Sequence, residues 1–131
     1  MKQIISLLIV ITIFITPVSA KAGEMVLAGG CFWCLEHDLE YLDGVNTVKS
    51  GYSGGEMLNP NYGNHIGHQE AVLVDYDSNK LQFMDILRLY FRNINPLDGE
   101  GQFCDRGDSY RPVIFYKDEL EKDLSKKALF Q

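Results

Sequence analysis

Apolar residues recur along this chain with two different periods, and the changes of period mark out its elements. Met25-Val26-Leu27-Ala28 is a short continuous apolar run of the kind a buried strand carries. From Cys31 to Leu42 the apolar side chains Phe32, Leu35, Leu39 and Leu42 form one helical stripe, with Gly44 placed to end it. Val45 to Tyr52 reads as a strand that runs into the turn-rich stretch Gly51-Tyr52-Ser53-Gly54-Gly55. Residues 56–69 are polar and loop-like, punctuated by Asn59-Pro60-Asn61. Ala71-Val72-Leu73-Val74-Asp75-Tyr76 has the composition of a central strand. Phe83, Ile86, Leu87, Tyr90, Phe91 and Ile94 then define the clearest helix, which Asn95-Pro96 stops. A loop from Leu97 to Ser109 leads to the strand-like Arg111-Pro112-Val113-Ile114-Phe115-Tyr116, after which Asp118 can cap a last helix.

The alternation β-α-β-β-α-β-α predicts an α/β sandwich, with helices packed on a mixed sheet. There are no repeats or low-complexity tracts, and one domain is expected. The first twenty residues stand apart from it. Lys2, the apolar run Ile4 to Ile15 and the small residues ending at Ala20 have the form of a signal peptide, too short for a membrane span. Cleavage after Ala20 would leave 21–131 as an exported chain, periplasmic or secreted. Losing Lys2 moves the net charge from −6 to −7. An acidic chain with no basic cluster argues against nucleic acid and against anionic membrane surfaces.

Export implies an oxidising compartment, where thiols tend to pair. Cys31, Cys34 and Cys104 are an odd count, so a monomer keeps at least one thiol unpaired. Cys31 falls where a strand should turn into a helix, and the unpaired N–H groups of a helix start favour thiolate. Cys34 lies three residues on, within reach of a disulfide. Phe32 and Trp33, between them, are either core or a hydrophobic cup for a small apolar group such as a methyl. Haem attachment would require a histidine at position 35, which is Leu35. A zinc site through Cys31, Cys34 and His37 is disfavoured because the side chains spread around the helix.

Other candidates are less local. Glu70 stands at the mouth of a strand, either as an ordinary edge carboxylate or as an acid of raised pKa. Tyr52 and Tyr110 are phenols that could orient or polarise an oxygen. Asp105 and Arg106 share a polar loop and either support a site or face solvent. His65 and His68 read as loop residues rather than ligands.

Five separate blocks then resemble one family. Gly30-Cys31-Phe32-Trp33, Gly51-Tyr52-Ser53-Gly54-Gly55, Pro60-Asn61-Tyr62, Gly67-His68-Gln69-Glu70-Ala71-Val72 and Tyr110 to Tyr116 are similar to the peptide methionine sulfoxide reductases of the A type. The resemblance implies a ferredoxin-like fold and reduction of the S-epimer of methionine sulfoxide, free or in oxidised proteins. By resemblance Cys31 attacks the sulfoxide sulfur and Glu70 protonates the departing oxygen. Tyr52 and Tyr110 would hydrogen-bond that oxygen, Phe32 and Trp33 would hold the methyl, and Asp105 would order the site through water. Cys31 becomes a sulfenic acid, which a second thiol condenses to a disulfide. Cys34 is the better resolving candidate and Cys104 the runner-up.

No bound cofactor or metal is implied. The reductant would be an external thiol, a thioredoxin-like protein or dithiothreitol, and the mature chain is expected to be a monomer. Family members usually continue past the strand ending at Tyr116 through a helix, another strand and a His-Gln segment. The domain over 21–131 is therefore expected to be short at its C-terminus, lacking a strand and leaving an exposed sheet edge. Two other functions remain open: thiol–disulfide exchange through Cys31 and Cys34, and an inactive truncated binding or structural module.

Overall fold

A computed structural model describes residues 21–130. The expected signal peptide lies outside the described residues. Strand β1 (Ala22–Ala28) leads into helix α1 (Phe32–Glu40), followed by β2 (Val45–Ser53) and β3 (Gln69–Asp77). Helix α2 (Phe83–Asn93) precedes a small hairpin of β4 (Gly101–Gln102) and β5 (Asp105–Arg106), a 3₁₀ turn at Asp108–Tyr110, β6 (Val113–Phe115) and α3 (Glu119–Leu129). The two-residue strands of the hairpin are a detail that the polar composition of 97–109 did not reveal.

The sheet runs β2-β3-β1-β6. Its pairings are all antiparallel, with Leu27 opposite Val72, Tyr52 opposite Glu70 and Ala28 opposite Val113. The expected mixed sheet is corrected on this point. The crossover through α1 puts β2 two places from β1, and β3 folds back between them, so parallel strands are never neighbours. This strand order is that of a ferredoxin-like sandwich.

The core lies between the sheet and its helices. Val72, Val74 and Tyr76 alternate inward along β3 and meet Leu35 and Leu39 of α1 with Ile86, Leu87 and Tyr90 of α2. Each such fully buried aliphatic side chain contributes about 1.5–3 kcal/mol. Helix α2 starts at a capping box, in which the Gln82 amide donates to Asp85 Oδ2 at 3.2 Å. The buried Tyr90 hydroxyl donates to the Ala28 carbonyl at 2.7 Å and so pins the end of β1, where the chain turns toward α1. Asp118 caps α3 as expected, its Oδ1 accepting the Glu121 amide at 2.8 Å.

Among the described residues β6 pairs only with β1 and forms an edge. Beside it an open apolar cleft of about 470 Å³ runs between α2 and α3, lined by Phe91, Ile94, Ile114 and Leu129 among others. That cleft touches none of the residues singled out for chemistry.

Candidate active site

Cys31 is the N-cap residue of α1, and its carbonyl accepts the amides of Cys34 at 3.1 Å and Leu35 at 3.2 Å. The stripe Phe32, Leu35, Leu39 is buried, so packing of the helix onto the sheet sets where its first turn sits. Gly30 makes the approach possible. Its φ is +87°, and a Cβ there would lie 2.7 Å from Gln102 Cβ, so only glycine lets the chain pass. Cys31 is partly exposed and Cys34 exposed, both as free thiols. A hydrogen bond to Cys31, then burial and the charges of Cys31, Asp105 and Asp38, push the Cys34 thiol up to about 11. Cys34 therefore keeps its proton over the neutral range.

Glu70 opens β3 and is only 2% exposed. Its Oε2 accepts the Phe32 amide at 3.3 Å, which ties the carboxylate to the residue that follows Cys31. Burial raises the Glu70 pKa above the usual carboxylate value and the Asp105 charge adds to it; the Phe32 amide and His65 pull the other way. Tyr52 stands opposite Glu70 across the β2–β3 pairing. Tyr110 ends the 3₁₀ turn. Burial and then the Glu70 charge raise both phenols, so both stay protonated as hydrogen-bond donors over the neutral range.

An aromatic wall closes one side. Phe32 is buried and lies 5.6 Å from the Tyr52 ring and 5.1 Å from Trp33. Trp33, 58% exposed, stacks on Tyr62 at 5.5 Å and 15°. Tyr62 came from a block of the resemblance but had no role assigned to it. An aromatic residue alone in the polar stretch 56–69 was the available signal.

On the other side a small cleft of about 80 Å³ is lined by Cys31, Cys34, Asp38, Gln102 and Asp105, among others. Gln102, which no sequence reading singled out, is 1% exposed. Its side chain accepts the Asn95 amide at 2.6 Å and donates to the carbonyls of Gly101 at 2.7 Å and Asn95 at 2.9 Å. It holds the loop after α2 against Gly30 and thereby fixes β5 and Asp105 near the thiols. Arg106 points away and forks onto Asp98 at 2.6 and 3.2 Å. Cys104 is exposed in the hairpin turn.

His68 is buried and serves structure. Its Nδ1 accepts the Gly55 amide at 3.3 Å, so Nε2 carries the hydrogen that meets the Met57 carbonyl at 3.0 Å. His65 is a loop residue as expected, and its ring stacks on Tyr52 at 4.8 Å.

A cysteine pair at a helix start, beside a buried carboxyl group that favours its protonated form, makes this a site for thiol redox chemistry on a ferredoxin-like α/β scaffold. Residues 23–131 match the family described as peptide methionine sulfoxide reductase, and the chain belongs to that family. Peptide methionine sulfoxide reductase MsrA of Streptococcus uberis is 46% identical over 107 residues, covering 79% of this chain and 63% of that protein. MsrA 2 of Caulobacter vibrioides is 50% identical over 99 residues, covering 72% of this chain and 50% of that protein. Among solved structures, reduced Mxr1 of Saccharomyces cerevisiae superposes with a TM-score of 0.74 at 28% identity, over 87% of this chain and 70% of that one. Methionine sulfoxide reductase A of Corynebacterium diphtheriae, at 23% identity and a TM-score of 0.75, matches in fold over 81% of this chain and 55% of its own. The chain thus spans about 63% of the length of the first of these relatives.

Proposed function

We propose that this chain reduces the S-epimer of methionine sulfoxide, free or within oxidised proteins, and so repairs oxidised methionine. The observation that carries the reading is the buried Glu70, whose pKa burial raises and whose carboxylate accepts the amide beside Cys31. Sulfoxide sulfur becomes electrophilic only as its oxygen is protonated, so a neutral acid next to a thiol is the pair the reaction requires.

In the first step Cys31 attacks sulfur while Glu70 gives its proton to the oxygen, with Tyr52 and Tyr110 as donors to that oxygen. The sulfoxide S–O bond breaks, its oxygen passes as hydroxyl to the Cys31 sulfur, and methionine leaves; Cys31 becomes a sulfenic acid and Glu70 is left as a carboxylate. Phe32 and Trp33 offer the apolar surface for the substrate methyl, and Asp105 helps order the site. In the second step Cys34 attacks the sulfenic sulfur, a Cys31–Cys34 disulfide forms and water leaves. Cys104 is the alternative resolving thiol; the place of Cys34 in the first turn of α1, three residues from Cys31, favours Cys34.

A dithiol reductant, thioredoxin-like in the cell or dithiothreitol in the test tube, restores both thiols, with no bound cofactor required. The Lys2 to Ala20 segment supports export to a periplasmic or secreted setting, and a monomer meets every role named above.

The test is reduction of each epimer of a methionine sulfoxide peptide in dithiothreitol. Turnover of the S-epimer alone, abolished by Cys31→Ser, is the expected result. A folded chain that reduces protein disulfides but neither epimer overturns it.

A further inference from the structure

The turn of the β4–β5 hairpin carries an unexpected residue. Gln102 pairs with Asp105, so the turn has two residues, Phe103 and Cys104. Phe103, the first of them, has a φ of 51°, a conformation that hairpins of this length usually give to glycine or asparagine. Its ring is 70% exposed, so burial does not explain the choice. Strain kept at an exposed position points to a function for the side chain.

Phe103 lines the cleft of about 80 Å³ that Cys31, Cys34, Asp38 and Asp105 also line. So small a space makes its lining side chains close neighbours. Cys34 is exposed whereas Cys31 is only partly so, and an outside reagent meets the exposed thiol first. Glu70, Tyr52 and Tyr110, the groups proposed to act on the sulfoxide oxygen, lie outside this lining. The thiol pair therefore has a second approach, with Phe103 at its lip.

We propose that Phe103 is the docking contact for a protein dithiol, a thioredoxin-like reductant whose reactive thiol stands in an apolar surface, and that it brings that thiol onto Cys34. The role rests on the reductase reading, in which Cys31 and Cys34 end each turnover as a disulfide. The partner's thiolate attacks the Cys34 sulfur, the Cys31–Cys34 bond breaks, and Cys31 leaves as a thiolate that takes up a proton. The partner's second thiol loses its proton, attacks the mixed disulfide and frees Cys34, which is protonated in turn. Two electrons pass to the chain and the partner departs as a disulfide.

A small dithiol has no surface for an exposed ring to grip, whereas aromatic side chains are common anchors of protein contacts. Asp38 and Asp105 on the same cleft repel an acidic rim, so the partner's surface around its thiol is neutral or basic.

The experiment needs no sulfoxide. The chain is oxidised with diamide to its Cys31–Cys34 disulfide, and reduction by thioredoxin and by dithiothreitol is followed in the wild type, Phe103→Gly and Phe103→Tyr. Glycine takes the backbone of the turn without strain, and tyrosine keeps the ring. The ratio of the thioredoxin rate constant to the dithiothreitol rate constant should fall about tenfold in Phe103→Gly and be kept in Phe103→Tyr. A ring that only shapes the hairpin would change both rates together and leave the ratio alone. An unchanged ratio in Phe103→Gly overturns the proposal, as does a chain in which diamide forms no Cys31–Cys34 disulfide. Methionine release from the S-sulfoxide is measured separately. Its absence overturns the reductase reading, while a ratio lost in Phe103→Gly still supports the docking contact.

Discussion

Glu70 Oε2 accepts the amide hydrogen of Phe32 at 3.3 Å across 38 positions of sequence. One hydrogen bond thus joins the strand that carries the proposed acid to the first turn of the helix that carries the proposed nucleophile. Acid and thiol are set by the same sheet–helix packing, and neither depends on a flexible loop for its place.

Glu70→Gln removes the proton and keeps an acceptor for the Phe32 amide. Reduction of the S-sulfoxide should fall about a hundredfold or more, with binding little changed. Stability changes in the opposite sense with pH. Because burial raises the Glu70 pKa in the folded chain, wild-type stability is fully present below the unfolded value near 4.5 and is lost as pH rises through the folded value. The glutamine variant lacks this loss, so urea melts should show it gaining on the wild type as pH rises from 4 to 8.

Cys34→Ser should complete one turnover and stop when a thioredoxin-like protein is the reductant, leaving a sulfenic acid on Cys31. Cys104→Ser should continue to cycle. Mass spectrometry of the chain after one equivalent of sulfoxide reads both outcomes. A cycling Cys34→Ser with a stalled Cys104→Ser would transfer the resolving role to Cys104.

Gln102→Leu keeps the volume but strands the Asn95 amide and carbonyl that Gln102 satisfies. The expected cost is about 2–4 kcal/mol in urea unfolding. Activity should fall as well, because the same side chain packs against Gly30 and holds the loop that carries Asp105.

Phe103 sits at a φ of 51°, a conformation that costs a side-chain-bearing residue about 1–2 kcal/mol. It is 70% exposed, so little packing offsets the strain. Phe103→Gly should raise the urea midpoint, by about 0.5–1 kcal/mol in stability. A drop would mean that the ring makes contacts that outweigh the strain.

The elements themselves were legible because their periodicity is local: Phe32-Leu35-Leu39 and Ile86-Leu87-Tyr90 face the core as their spacing requires. So was the thiol pair, four consecutive residues at a strand-to-helix turn. Strand direction was not. Whether neighbours run parallel depends on β3 inserting between β1 and β2, a long-range choice with no local mark. The residues that surround the chemistry escaped for the same reason. Tyr62 gains its place only when the loop 56–69 folds over α1, and His65 only when that loop brings it onto Tyr52. Gln102 looks like any polar loop residue until the Asn95 turn closes around it.

The most direct measurement is a single turnover without added reductant. Fully reduced chain is mixed with an excess of an S-sulfoxide peptide, methionine is quantified and the disulfide is mapped. The account predicts one methionine per chain together with a Cys31–Cys34 disulfide, and neither product from the R-epimer. A folded chain that forms the disulfide without releasing methionine, or that releases none at all, would contradict it.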